Sequence, residues 1–204
     1  MNASKLVALL ALALAPLATF GWTIFPDDRM LPDKASPELV AVFEEFKALA
    51  EKGDIHAQFK LGFCYYIGCG IPARDYKLAV EWYRKSAEAG LADAQYEFSG
   101  CFGGLYTSEI LPKNDELAKK WLMKAAVQMY PKALCTLGVR HEKGWDGFLK
   151  DEMEAYAYYN LAASLGNRHA AFNLKEIESK MTSEQRLAGQ KRSKELLKEL
   201  ESKR

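Results

Sequence analysis

Three histidines, four cysteines and a scatter of carboxylates are the residues of this 204-residue chain best able to do chemistry. Their spacing decides what chemistry is open to them. A zinc protease needs two histidines one helical turn apart with a glutamate between them, and "RHEKG" around His141 lacks the second histidine. His56 and His169 stand far from any such pattern. Glu44 and Glu45 are adjacent, so on a helix they point to different sides and cannot flank one bond as acid and base. "YTSEI" around Ser108 has nothing resembling a nucleophile elbow beside it. "GCG", Gly68 to Gly70, follows a helical stretch rather than a strand and reads as a turn, not a dinucleotide loop. No catalytic residue, no metal site and no cofactor is expected, and the chain is not read as an enzyme.

Cys64, Cys69, Cys101 and Cys135 allow three full disulfide connectivities, among which sequence does not choose. Cys64 with Cys69 is the most local closure, from a helix end to a turn. The alternative is buried free thiols packing as small apolar groups.

The composition is that of a globular protein, 49% hydrophobic and 27% charged with net charge +1. The balance gives no electrostatic reason to expect nucleic acid as a partner. The start is different: Lys5 precedes "LVALLALALAPLATFGW", an apolar run far short of the roughly 20 residues of a membrane span. Pro16 and small residues follow, so residues 1–21 are expected to be a signal peptide cleaved after Gly21. Export to the periplasm or beyond, with no membrane insertion after cleavage, is the expected localisation. Residues 22–36, with Pro26 and Pro32, read as an extended arm.

What must position everything else is a repeat. Gly53, Gly90 and Gly166 mark one slot; Ala57, Ala94, Ala133 and Ala170 the next; Leu61, Phe98, Leu137 and Leu174 a third. Trp82, Trp121 and Tyr158 share another slot, and Trp82 and Trp121 are expected to be buried. A period of this length indicates a solenoid of stacked helical pairs. Ala57, Leu61 and Tyr65 lie on one helical stripe, as do Ala79, Tyr83 and Ala87. Gly68, Gly70 and Pro72 end the first helix, and Asp75 is placed to cap the second. A lone helix of the second kind begins near Pro37 with Ser36 as its cap. "MTSEQ" restarts a helix at the far end, with Thr182 and Gln185 in capping-box spacing.

The stretch "AEKGDIHAQFKLGFCYYIGCGIPARDYKLAVEWYRKSA" resembles the Sel1-like repeat, a relative of the tetratricopeptide repeat. The motif positions are Gly53, Ala57, Gln58, Leu61, Gly62, Tyr65, Gly68, Gly70, Asp75, Lys77, Ala79, Trp82, Tyr83, Lys85 and Ala87. Two later repeats depart: Phe98-Ser99 replaces Leu-Gly in the second, which has a long turn from Gly103 to Asp115, and His141 fills the Tyr slot of the third, whose turn is "GWDGFLKD". The fold class implied is all-α, an α/α solenoid of Sel1-like helix-turn-helix repeats over residues 37–181, with a C-terminal capping helix over 182–204. A cysteine-rich branch of the family carries a Cys pair in each repeat, and some of that branch are described as β-lactamase-like. The corresponding slots here hold Ala87 and Gln95, Ala126 and Leu134, Ala163 and Ala171, so that pattern is missing.

The resemblance implies a non-catalytic protein–protein interaction module. Small exported members resemble immunity proteins that neutralise phospholipase-type toxins; others are cell-envelope adaptors or regulators. A β-lactamase-like enzyme acting on cell-wall or β-lactam substrates is the alternative from another class. The expected partner is another protein, a lipase or phospholipase toxin or an envelope protein. Its expected surface combines the irregular turns with residues outside the repeat pattern: Phe63, Tyr66, Leu105, Tyr106, Ile110, Leu111, Arg140, Trp145 and Phe148. Aromatic and Arg side chains are typical binding anchors, although Phe59 and Tyr96 serve equally well as packing residues.

Overall fold

A computed structural model describes residues 36–103 and 110–204. The expected signal segment, nearly all of the arm, and the turn residues Leu105 and Tyr106 lie outside the described residues. The described residues form helices α1 (Pro37–Glu51), α2 (Ile55–Ile67), α3 (Tyr76–Glu88), α4 (Ala92–Phe102), α5 (Asp115–Val127), α6 (Pro131–Lys143), α7 (Glu152–Ser164), α8 (Arg168–Glu178) and α9 (Ser183–Ser202), with no strand among them. This is the all-α, α/α solenoid class: three helix-turn-helix repeats, α2–α3, α4–α5 and α6–α7, with α9 as the C-terminal capping helix. The chain divides into two compact units, one ending at Ala89 and the other beginning at Gly90.

Local chemistry sets the helix starts. Ser36 accepts from the Leu39 amide, with Pro37 in the first turn. Each repeat's second helix opens on a short polar cap. Asp75 Oδ1 accepts from Leu78 N at 2.9 Å and Asn114 Oδ1 from Leu117 N at 2.9 Å. Asp151 Oδ1 accepts from both Met153 N and Glu154 N. The same three cap residues close the turn with their own amides. Asp75 N donates to Tyr65 O at 2.9 Å, Asn114 N to Phe102 O at 3.0 Å and Asp151 N to His141 O at 2.8 Å. These groups need partners at helix ends in any case, so the turn is latched without further side chains.

In the first unit α1 and α3 both pack on α2. Phe43, Phe46, Ala57, Leu61 and Cys64 form a buried cluster there. Gly62 faces Tyr83 so closely that an added Cβ would lie 2.8 Å from its Cδ1. Tyr83 is 1% exposed, whereas the neighbouring Trp82 is only half-buried. The expectation that Trp82 is buried is therefore corrected: the deep position of the slot is the next residue along. The indole packs against the rim of the core beneath Lys85, whose Nζ is 3.9 Å from the ring centroid.

In the second unit the core runs through Leu122, Leu134, Leu137, Tyr156, Tyr159 and Ile177. Gly138 faces Tyr159 as Gly62 faces Tyr83. The middle repeat has Ser99 and Leu122 in the equivalent slots, a larger residue on one helix and a non-aromatic one on the other. Trp121 is buried against the edge of Phe98, with ring centroids 5.2 Å apart. Helix α9 packs on α7, burying Leu196 and Leu200 and laying Gly189 against Tyr156. Arg192 ties it to Glu154 of α7 and pairs with Glu199 within α9. The capping box of Thr182 and Gln185 forms as the sequence predicts.

Candidate partner-binding site

The third repeat's turn carries an exposed aromatic side chain, Trp145, on a loop held by backbone hydrogen bonds and ion pairs. Helix α6 ends at Gly144, whose φ of 69° suits glycine, and both Gly144 N and Trp145 N donate to Arg140 O. Asp146 follows at φ 53°, a left-handed conformation that Asp tolerates better than most residues at a cost of about 1 kcal/mol. Ion pairs oppose that cost: Asp146 Oδ2 lies 3.4 Å from Arg140 Nε and its Oδ1 3.3 Å from Lys113 Nζ. Lys113 also reaches Asp115 at 3.2 Å, and these two carboxylates hold its ammonium above its ordinary range.

Below the turn Phe148 is buried. Lys119 Nζ sits 4.8 Å from its ring centroid, Arg140 Cζ 5.7 Å, and the His141 ring meets it edge-on at 5.1 Å. His141 in turn stacks on Tyr158, with 14° between the rings. Burial lowers the His141 pKa, which keeps the imidazole neutral in this aromatic sandwich. With Phe148 as its root, the turn projects Trp145, 57% exposed, and Leu149, 85% exposed.

A second feature of this unit lies on α4 and α6. Tyr130 donates to Asp93 Oδ1 at 3.0 Å, and the Tyr96 and Tyr130 rings are 5.6 Å apart. Beside them burial pushes the Glu97 carboxyl up to about 7, with Lys132 opposing and Asp93 adding to the rise. A carboxyl so placed is a proton-holding group, but the histidines stand elsewhere and no nucleophile pairs with it in the described contacts. Among the described residues no three His, Cys, Asp or Glu side chains are grouped as metal ligands.

The residues singled out from sequence separate on this geometry. Trp145 is exposed as expected. Phe148 and Arg140 are not surface anchors: Phe148 is 7% and Arg140 8% exposed. Both serve the turn from beneath: Phe148 lies between Lys119 and Arg140, and the Arg140 guanidinium pairs with Asp146. Ile110 and Leu111 are half-buried at the near end of the second turn, in the same unit. Phe63 and Tyr66 belong to the first unit, where both are half-buried and Tyr66 lies against Tyr76 at 5.7 Å. Phe59 is core, packed on Tyr83. Sequence reasoning missed Leu149 and Asp146. The signal for Asp146 was its place before Gly147 in a turn, where Asp and Gly share left-handed backbone.

Comparison with known proteins gives the same architecture. The Sel1 repeat model matches residues 55–91, 92–126 and 131–167, the three helical pairs. Chitin synthase regulatory factor 3 of Schizosaccharomyces pombe is 36% identical over 151 residues, which are 72% of this chain and 16% of that protein. A protective antigen of uropathogenic Escherichia coli strains with an SLR fold superposes with TM-score 0.66 at 26% identity, covering 77% of this chain and 32% of the other. A Sel1 repeat protein from Oxalobacter formigenes gives TM-score 0.61 at 28% identity, covering 67% and 54%. The chain thus spans only part of each of these relatives. With three matched repeats that together make up more than half of its length, the chain belongs to the Sel1 repeat family.

Proposed function

We propose that this protein is an exported, non-catalytic module that binds another protein through the turn of its third repeat. Sel1 repeats are protein-interaction modules. The observation that carries the choice of surface is Trp145. A 57% exposed indole is held on a turn whose root, Phe148, is buried and whose backbone is tied by Asp146 to Arg140 and Lys113. An anchor presented on a rigid loop loses little conformational freedom on binding, which is what makes aromatic hot spots strong. The apolar start ahead of Pro16 supports export, and with it a partner in the cell envelope. Within that setting we propose neutralisation of a phospholipase-type toxin as the specific role; envelope adaptor is the alternative.

The test places a photo-crosslinking residue at position 145, at 149, or at the exposed Phe172 of α8 as control. Positions 145 and 149 should capture the same protein and position 172 should not. Against that purified protein, Trp145→Ala should weaken binding about thirtyfold, the loss typical of a true anchor. Unchanged affinity would move the binding surface elsewhere. A captured phospholipase whose activity falls on binding would establish the toxin role, and an envelope protein without that activity would replace it. N-terminal sequencing of the protein from a periplasmic extract should begin near Trp22; an intact Met1 would overturn export.

A further inference from the structure

The end of α2 joins two cysteines by backbone geometry alone. Gly68 takes φ 78°, and the amides of Gly68 and Cys69 both donate to Cys64 O, at 2.8 and 2.9 Å. In a helix stop of this kind the residue after the glycine and the residue four before it bring their side chains together. In the third repeat those positions hold Trp145 and Arg140; here they hold Cys69 and Cys64. The two thiols lie within interaction distance of each other. Cys64 is 4% exposed, and Cys69 is half-buried at the rim of the first unit's core. The turn that carries Cys69 cannot swing away easily, because Gly70 lies against α1: an added Cβ there would meet Leu39 O at 2.4 Å and Phe43 Cβ at 2.6 Å.

We infer that Cys64 and Cys69 form a reversible dithiol–disulfide site, oxidised by exchange with an external disulfide such as glutathione disulfide or a thiol–disulfide oxidoreductase. Cys69 is the entry point because it is the accessible thiol. Its interaction with Cys64 also holds its pKa below the ordinary thiol value, while the same interaction and burial hold Cys64 above it. Cys69 loses its proton to solvent and its thiolate attacks one sulfur of the external disulfide, expelling the other as a thiolate. Cys64 then loses its proton and attacks the Cys69 sulfur, expelling the second external thiolate. The chain gives up two protons and two electrons, and the external disulfide becomes two thiols. The ring closed is only six residues long, so little of its effect comes from restricting the unfolded chain. Its effect is local: the last turn of α2 is fastened to the turn that docks on α1.

The test is equilibration of the purified full chain in glutathione redox buffers, acid quench, alkylation and peptide mass analysis. Cys64 and Cys69 should lose alkylation together in a single two-electron transition, with their peptide lighter by two hydrogens. Cys101 and Cys135, both buried, should remain alkylatable after unfolding. The oxidised chain should melt at a higher temperature than the reduced one. Cys64→Ser should trap glutathione on Cys69, and Cys69→Ser should leave Cys64 unmodified in the folded chain. Circular dichroism of both variants keeps misfolding distinct from loss of reactivity. The inference is overturned if the wild-type chain accumulates glutathione on Cys69 without closing the ring, or if the pair oxidises only in denaturant.

Discussion

Gly138 lies against Tyr159 so closely that a Cβ on it would sit 2.5 Å from Cδ1 of the ring. The same approach joins Gly62 to Tyr83 in the first repeat. A helix must come within glycine distance of a tyrosine face for these repeats to close, and the tyrosine fills the volume that the absent side chain leaves. The ring is fixed at its far end, where Tyr159 donates to Glu142 Oε2 at 2.7 Å, so it has little room to retreat.

Gly138→Ala should therefore destabilise the protein by about 1–3 kcal/mol, the usual cost of overpacking a core. The middle repeat suggests the remedy, since it carries Ser99 opposite the slot of Leu122. Gly138→Ala with Tyr159→Leu should cost less than the sum of the two single changes, as residues in contact do in a double-mutant cycle. Chemical denaturation of the four proteins measures it. Strict additivity would mean that the two residues are not packed as described.

The two tryptophans of the repeat slot should behave differently. Trp121→Ala removes a buried ring packed on Phe98 and should cost ~3–5 kcal/mol. Trp82→Ala removes a half-buried ring from beneath Lys85 and should cost roughly half as much, because less area leaves water on folding. Equal losses in urea titration would contradict the burial difference.

Glu97 makes stability depend on pH. Its carboxyl titrates at about 7 in the folded protein against 4.5 for the ordinary side chain. Between those values the folded chain holds a proton that the unfolded chain has released, so this group's contribution falls as pH rises through the window and is lost above it. His141, with its pKa lowered by burial, contributes the opposite trend below about 6.5. The informative quantity is thus the difference between Glu97→Gln and the parent. That difference should grow in favour of the variant from pH 5 to pH 8. It should reach about 1 kcal/mol, less than the full shift implies because the side chain is half-buried rather than fully enclosed. Parallel melting curves across that range would sink the assignment.

Much of this architecture was legible in the sequence because its rules are local. The glycine slots, the Asp75 cap, Pro37 and the Thr182–Gln185 box each act within one helical turn, so spacing alone reveals them. Met129 shows where spacing fails. It occupies the slot of Gly53, Gly90 and Gly166 and takes the same left-handed backbone, φ 59°, without being glycine. Packing of its side chain against the second unit's core offsets the strain, and no sequence pattern announces that. The candidate site was legible only in part for a related reason. "GWDGF" shows two aromatics in one turn, but which one faces water depends on Lys119, Arg140 and His141 arriving from two other helices. Phe148 and Trp145 have the same chemistry in sequence and opposite fates in space.

The backbone latch from each repeat's second-helix cap to the preceding helix has an evolutionary consequence. In the first and third repeats it joins residues ten positions apart, Tyr65 with Asp75 and His141 with Asp151. In the middle repeat it joins Phe102 with Asn114, twelve apart, and the hydrogen bond is no longer than 3.0 Å. What lies inside the latch is an exchangeable cassette. Its length and side chains can drift while the helices on either side keep their register, since doubling a loop adds only about 0.6 kcal/mol of closure entropy. A lineage can therefore rewrite these turns one repeat at a time. An engineer can do the same by grafting peptides between Phe102 and Asn114.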